Sequence, residues 1–307
     1  MHRQQGVWAP TFSLMRYLKT SEAATLLNVS PNTLRAWERR FGFPRPQRSP
    51  GRHRLYTHGE IAALRDALLD GLSISSAVSR AREGLGADTN ALVGALNAFD
   101  APRADTALEG ALALRSLDRA VQEVLLNSLD EVARRHGTDS AQWAFAARWG
   151  NNWLRRAQRL VTPGSQPVSV VLGDATRDEL DPDAAYVRAF ELLAMRSGAE
   201  VLGLSVRGVA NMSDALAAHR PDVVVIAGGA MPDDAVARWA YAVRLATGPL
   251  PVAVYRRGSQ RARVRTTGAT MLPGTPGEAA RQVMDLVTRM ITAPTRTHPA
   301  RLAADGA

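Results

Sequence analysis

The sequence predicts a multidomain α and α/β protein: a winged helix-turn-helix, then a four-helix bundle, then a doubly wound, flavodoxin-like parallel sheet. Three observations carry this. Within residues 16–84, twelve Lys+Arg face six Asp+Glu, and two short helical stretches precede a Pro/Gly-rich hairpin. From about 88 to 161 the apolar residues recur at helical spacing. From about 167 to 292 short β-branched runs alternate with helical stretches, the pattern of a parallel sheet covered on both faces. The flanking stretches 1–15 and 293–307 are rich in small and polar residues and are expected to be disordered.

Composition narrows the function classes. The 307 residues are 46% hydrophobic and 22% charged, enough to build packed cores. No cysteine is present, which excludes disulfides, thiolate zinc sites, iron–sulfur clusters and cysteine nucleophiles. No apolar run approaches the ~18 residues of a membrane span, and the first residues lack a secretory pattern. A cytoplasmic location with no membrane partner is expected. The net charge of +9 rests almost wholly on arginine, since Lys19 is the only lysine. Such an excess points to a polyanionic partner.

Thr20 can cap a helix over 21–27, and Asn28-Val29 makes a turn. Ser30-Pro31 is an N-cap with proline at the first helical position. The second helix runs to about Phe41 and stops at Gly42. Pro44 to Tyr56 reads as a hairpin wing with Gly51 in its turn, and Thr57 to Glu60 as a capping box for the next helix. That helix ends near Leu69, and another starts at the serines 73–76. Seven arginines between 31 and 58 face the single acid Glu38.

The strings Tyr17-Leu-Lys-Thr-Ser-Glu-Ala-Ala, Ser30-Pro-Asn-Thr-Leu-Arg-Ala-Trp-Glu-Arg-Arg-Phe-Gly and Gly51-Arg-His-Arg-Leu-Tyr resemble the winged helix-turn-helix of the MerR family, in the branch whose members carry a cobalamin-binding light-sensor module. The resemblance implies a sequence-specific transcription regulator that binds double-stranded operator DNA, as a dimer or tetramer. Asn32 and Thr33 sit at a helix N-terminus that offers backbone N–H groups to phosphate. Arg35 is the candidate for a groove contact or a bidentate phosphate clamp. Trp37 would pack and partly reach the backbone. Arg39 is either groove-side or solvated. Arg52, His53 and Arg54 would reach DNA from the wing. Tyr56 would offer its hydroxyl to phosphate or pack under the wing.

In the middle region, Asn90–Phe99 and Ala104–Leu114 are short apolar-periodic pieces, and Leu117 to Val132 form one apolar stripe. A last helix starts at Asp139 or Ser140 and runs to about Leu160, which completes a four-helix bundle. Trp149 and Trp153 share a face of it with Phe145, and Trp143 lies a quarter turn away. Two readings stand: a large-residue bundle core, or an aromatic wall over a ligand.

Strands are expected at 168–172, 201–206, 223–227, 252–255 and 269–272, with helices near 183–197, 213–218, 233–246 and 277–290. The order of regions resembles that of the cobalamin-dependent regulators. In that family an Asp-x-His-x-x-Gly signature follows the first strand, and its histidine is the lower cobalt ligand. Here the signature falls on Asp181-Pro-Asp183-Ala-Ala-Tyr186, so Asp183 replaces the histidine and Tyr186 the glycine. The Ser-x-Leu slot falls on Ala227-Gly228-Gly229, and the later Gly-Gly slot on Tyr255-Arg256. A carboxylate is a poor substitute for imidazole on cobalt, and the bulky residues fill space the nucleotide tail needs. The expectation is therefore that no cobalamin binds through this signature. The module would serve assembly, a regulatory protein partner or a different ligand, with Trp143, Trp149, Trp153, Asp183, Tyr186, Gly228 and Gly229 as the candidate pocket. The alternative is a sensor that still takes cobalamin or another tetrapyrrole. No nucleophile–base pair, metal-ligand set or phosphate loop points to an enzyme. The acids Asp174, Asp178, Glu179, Asp181 and Asp183 read as a solvated loop rather than a metal site.

Overall fold

The structure is a computed structural model and describes residues 17–48, 53–162, 167–206, 212–248, 250–257, 269–272 and 274–292. The chain divides into two compact units: residues 1–154 with 179–185, and residues 155–178 with 186–307. The disordered tails expected at both ends lie outside the described residues, as do Gly51 and Arg52 of the wing.

The first unit opens with β1 (Tyr17–Lys19), α1 (Thr20–Leu26) and α2 (Pro31–Phe41). Thr20 lies inside α1 rather than capping it; Lys19 is the N-cap, and its amide donates to Glu22 Oε2 at 2.7 Å. Ser30 caps α2 as expected, accepting the Thr33 amide, and Gly42 ends it in the left-handed region at φ +60°. The wing strands are β2 (Gln47–Arg48) and β3 (Arg54–Thr57). Tyr17–Lys19, unassigned in the sequence reading, adds a third antiparallel strand, giving the order β1-β3-β2. α3 (His58–Leu69) and α4 (Ile74–Asn97) follow. Leu18, Ala23, Ala24, Leu34, Tyr56, Ile61 and Leu64 form one buried core, which Ala77, Val78 and Ala81 of α4 complete.

The sequence reading breaks the chain at about 85–87. The structure instead runs α4 straight through. Its first turns pack into the head core, while Leu92, Val93, Ala95 and Leu96 are buried further along. Gly84 and Gly86 meet no neighbours and keep helical backbone, so neither acts as a C-cap. The remaining helices are α5 (Ala101–Leu114), α6 (Leu117–Arg119), α7 (Leu126–His136) and α8 (Ala141–Gln158). A π-helical turn, Ala120–Leu125, joins α6 to α7.

The second unit is a five-stranded parallel sheet of β4 (Val168–Asp174), β5 (Ala199–Ser205), β6 (Val223–Ala227), β7 (Val252–Tyr255) and β8 (Thr270–Leu272). Its order is β5-β4-β6-β7-β8, with α9 (Ala184–Arg196), α10 (Met212–His219) and α11 (Asp233–Thr247) between successive strands and α12 (Pro276–Thr292) after the last. Alternation within each strand feeds two cores. Val170, Leu172, Val223, Val225 and Ala253 pack with Val187, Phe190 and Val283 of α9 and α12. Val171, Val224, Ile226, Val252 and Val254 pack with Leu216, Val236 and Val243 of α10 and α11. This is the doubly wound class, with its switch point where β4 lies between β5 and β6.

Candidate nucleic-acid interface and strand-end region

The exposed side of α2 starts at its N-terminus. Ser30 Oγ accepts the Thr33 amide at 3.0 Å and lies 2.8 Å from Thr33 Oγ1. The Thr33 hydroxyl is thus engaged in the cap. Arg35 Nη1 donates to Asn32 Oδ1 at 3.3 Å, and both side chains are exposed. Arg39 and Arg40, about one turn on, are exposed, with Arg40 over the Phe41 ring at 5.2 Å. Trp37 is half-buried and packs against the head core.

On the wing, His53 is exposed, whereas Arg54 is half-buried. Arg54 Nε donates to both oxygens of Glu38, at 3.2 and 3.0 Å. The Tyr56 hydroxyl donates to Glu38 Oε2 at 3.2 Å, and its side chain is fully buried. Burial first, and then the Glu38 charge, push the Tyr56 phenol up to about 12. Of the two sequence readings for Tyr56, the structure supports packing under the wing. In this structure the hydroxyl is out of solvent and bonded to a carboxylate. Glu38 was not singled out as functional in the sequence; its signal was its isolation among seven arginines. It ties α2 to β3, the return strand of the wing.

The tryptophans of α8 are all buried. Trp143 Nε1 donates to Leu180 O at 2.8 Å, Trp149 Nε1 to Asp105 Oδ1 at 3.1 Å, and Phe145 meets Phe99 edge-on at 5.6 Å. Asn151 Nδ2 reaches the Ala147 and Glu179 carbonyls at 2.9 and 3.1 Å. The Trp143 and Trp149 indole donors are therefore satisfied within the unit. Next to them Asp181 is buried and its carboxylate accepts the Asp183 amide at 3.0 Å, a local turn leading into α9. Among the described residues, no three His, Asp or Glu side chains come together as a metal site.

At the strand ends of the second unit, backbones close on one another. The Ala175 amide donates to Ala227 O at 2.8 Å, and the Gly228 amide to Tyr255 O at 3.0 Å. Gly228 holds φ +111°, and a Cβ there would lie 3.1 Å from the Thr176 amide nitrogen and 3.2 Å from the Ala175 carbonyl carbon. Only glycine suits both the dihedral and the approach. Tyr255 is buried and stacks on Phe190 with centroids 5.3 Å apart. Arg256 Nη2 donates to Met231 O at 2.8 Å, and the Arg257 guanidinium lies 4.4 Å from the Tyr186 ring centroid.

A capped helix with exposed cations, backed by a β-wing, defines a winged helix-turn-helix head of the DNA-binding class. Residues 19–56 match the family described as MerR family regulatory protein. The chain is 40% identical over 70 residues to the HTH-type transcriptional repressor CarA of Myxococcus xanthus, covering 21% of the chain and 24% of that relative. To the HTH-type transcriptional repressor CarH of the same organism it is 32% identical over 143 residues, covering 39% of the chain and 48% of the relative. It is 47% identical over 45 residues to the HTH-type transcriptional regulator MlrA of Escherichia coli strain K12, covering 15% and 18%. The chain spans less than half the length of each of these curated relatives. Among solved structures, it is similar to the monomethylamine corrinoid protein of Methanosarcina barkeri, at 15% identity and TM-score 0.48 over 64% of the chain and 96% of that protein. A cobalamin-binding protein from Desulfitobacterium hafniense DCB-2 matches at 15% identity and TM-score 0.34, over 64% and 97%.

Proposed function

We propose that this protein is a sequence-specific, DNA-binding transcription regulator, whose C-terminal module has the cobalamin-binding type of fold but not its lower-ligand chemistry. The observation that carries the first half is the exposed row Asn32, Arg35, Arg39 and Arg40 on a capped MerR-type helix. Cations on a helix that fits the major groove supply phosphate and base-edge contacts. His53, Arg54 and Arg52 are the wing contacts, with Arg52 outside the described residues. Arg54 reaches DNA by sharing its guanidinium with Glu38.

The second half rests on the strand ends. A corrinoid held through the family's signature needs an imidazole at position 183 and open backbone at 186 and 255. The chain has a carboxylate, a tyrosine covered by Arg257, and a tyrosine stacked into the core. These residues do not fit the group. The module then serves assembly of the regulator, a protein partner or a different ligand.

The test is binding of the whole chain to a duplex selected by the wild-type protein from a random pool. Arg35→Ala should weaken binding by ~1–3 kcal/mol and shallow the log–log salt slope by about one unit. Unchanged affinity and slope would remove Arg35 from the interface. Failure to select any duplex would defeat the reading as a whole.

A further inference from the structure

Within the first unit, a buried ionic cluster joins the winged head to the helical bundle. Glu60, in the first turn of α3, is fully buried. Its amide donates to Thr57 Oγ1 at 3.4 Å, so half of the expected capping box forms. Its carboxylate goes elsewhere. Oε2 accepts the Thr57 hydroxyl at 3.1 Å, and Oε1 accepts the backbone amide of Arg45 at 3.3 Å, where the chain enters the wing. Oε1 also pairs with Arg119 Nη1 from the bundle.

Arg119 is itself buried, and is held from its own side by Glu123 through two bonds of 2.8 Å. Burial works against its charge, yet Glu60 and Glu123 together keep its pKa above the ordinary guanidinium value. Glu123 also lies 3.8 Å from Arg45 Nη1. Arg115, almost fully buried, pairs with Asp88. The backbones are just as close: a methyl on Gly59 would lie 2.0 Å from Leu114 O.

Arg119 directly precedes the π-helical turn that contains Glu123. A π turn holds one residue more than an α turn, and such turns recur at functional sites. Converting it to α would rotate what precedes it by about 100° around the helix axis. That rotation takes Arg119 off Glu60.

We propose that Arg119 and Glu60 form a latch between the bundle and the base of the wing, so that a rearrangement of the bundle is felt at the DNA contacts. Arg119 is here a positioning residue: it touches no DNA and acts through Glu60 on Arg45. The latch rests on the DNA-binding reading above. Breaking one partner alone strands a buried charge, so the informative change removes both.

The experiment compares wild type, Arg119→Met/Glu60→Gln and Gly59→Ala as whole chains. Each is measured by circular dichroism, by affinity and salt slope on the selected duplex, and by hydrogen exchange of the wing amides. The latch predicts folded variants whose affinity falls about tenfold with an unchanged salt slope, and whose wing amides exchange faster. Wild-type affinity in a folded variant overturns it. A slope shallower by one unit also overturns it, because Arg119 would then be a phosphate contact. If neither variant folds, the wild type decides: under rising denaturant the Arg45 and Leu125 amides should open in one step, and separate steps contradict the latch. Should the wild type select no duplex, the DNA-binding reading fails, and the exchange result judges the latch alone.

Discussion

The helix α2 and the strand ends of the sheet solve opposite problems. On α2 the cations Arg35, Arg39 and Arg40 stay exposed, and the helix N-terminus is capped by Ser30 from behind. At the strand ends Tyr255 is stacked on Phe190, Arg257 covers Tyr186, and Gly228 brings backbone against backbone. One surface keeps its polar groups available to a partner. The other spends them inside the unit. The two regions differ in where their side chains find partners, which residue types alone do not reveal.

The largest effect is expected where the strand ends are most closed. Tyr255→Ala should destabilise the second unit by ~3–5 kcal/mol in urea unfolding, because it empties the space beside Phe190. A loss below about 1 kcal/mol would show a ring that leaves easily, as an open cleft requires.

A smaller effect sharpens the other side of the comparison. The Tyr56 phenol ionises at about 12 in the folded head rather than at 10.0. A raised folded pKa means that the protonated form is favoured by folding. This contribution is complete below about pH 10 and is lost as pH rises through about 12. The phenolate band should contain a late-titrating component that Tyr56→Phe removes, with loss of head stability in the same window. A Tyr56 contribution that titrates near the ordinary 10.0 would place its hydroxyl in solvent and favour the phosphate contact.

The smallest expected effect is none. Asp183→His restores the imidazole but leaves Tyr186 and Tyr255 in place. Titration with adenosylcobalamin should give no saturable absorbance change. A saturable change would show that the ligand alone was missing.

Local chemistry made much of this legible. Ser30-Pro31 with Gly42 marked α2, and the β-branched runs marked each strand of the sheet. What stayed hidden depends on distant pairing. Glu38 meets Arg54 and Tyr56, sixteen and eighteen residues on, and Glu60 meets Arg119 from the bundle. No periodicity encodes such partners. β1, with three residues, is too short to show alternation. α4 crosses its glycines because packing at both ends outweighs the ~1 kcal/mol each glycine costs a helix. The indole partners of Trp143 and Trp149, Leu180 and Asp105, are likewise distant in sequence.

The most direct measurement of the whole account is the salt dependence of whole-chain binding to the selected duplex, recorded with and without adenosylcobalamin. The account predicts steep salt dependence and two superimposable curves. A flat curve would contradict a phosphate-gripping head, and a displacement by the corrinoid would contradict the loss of its site.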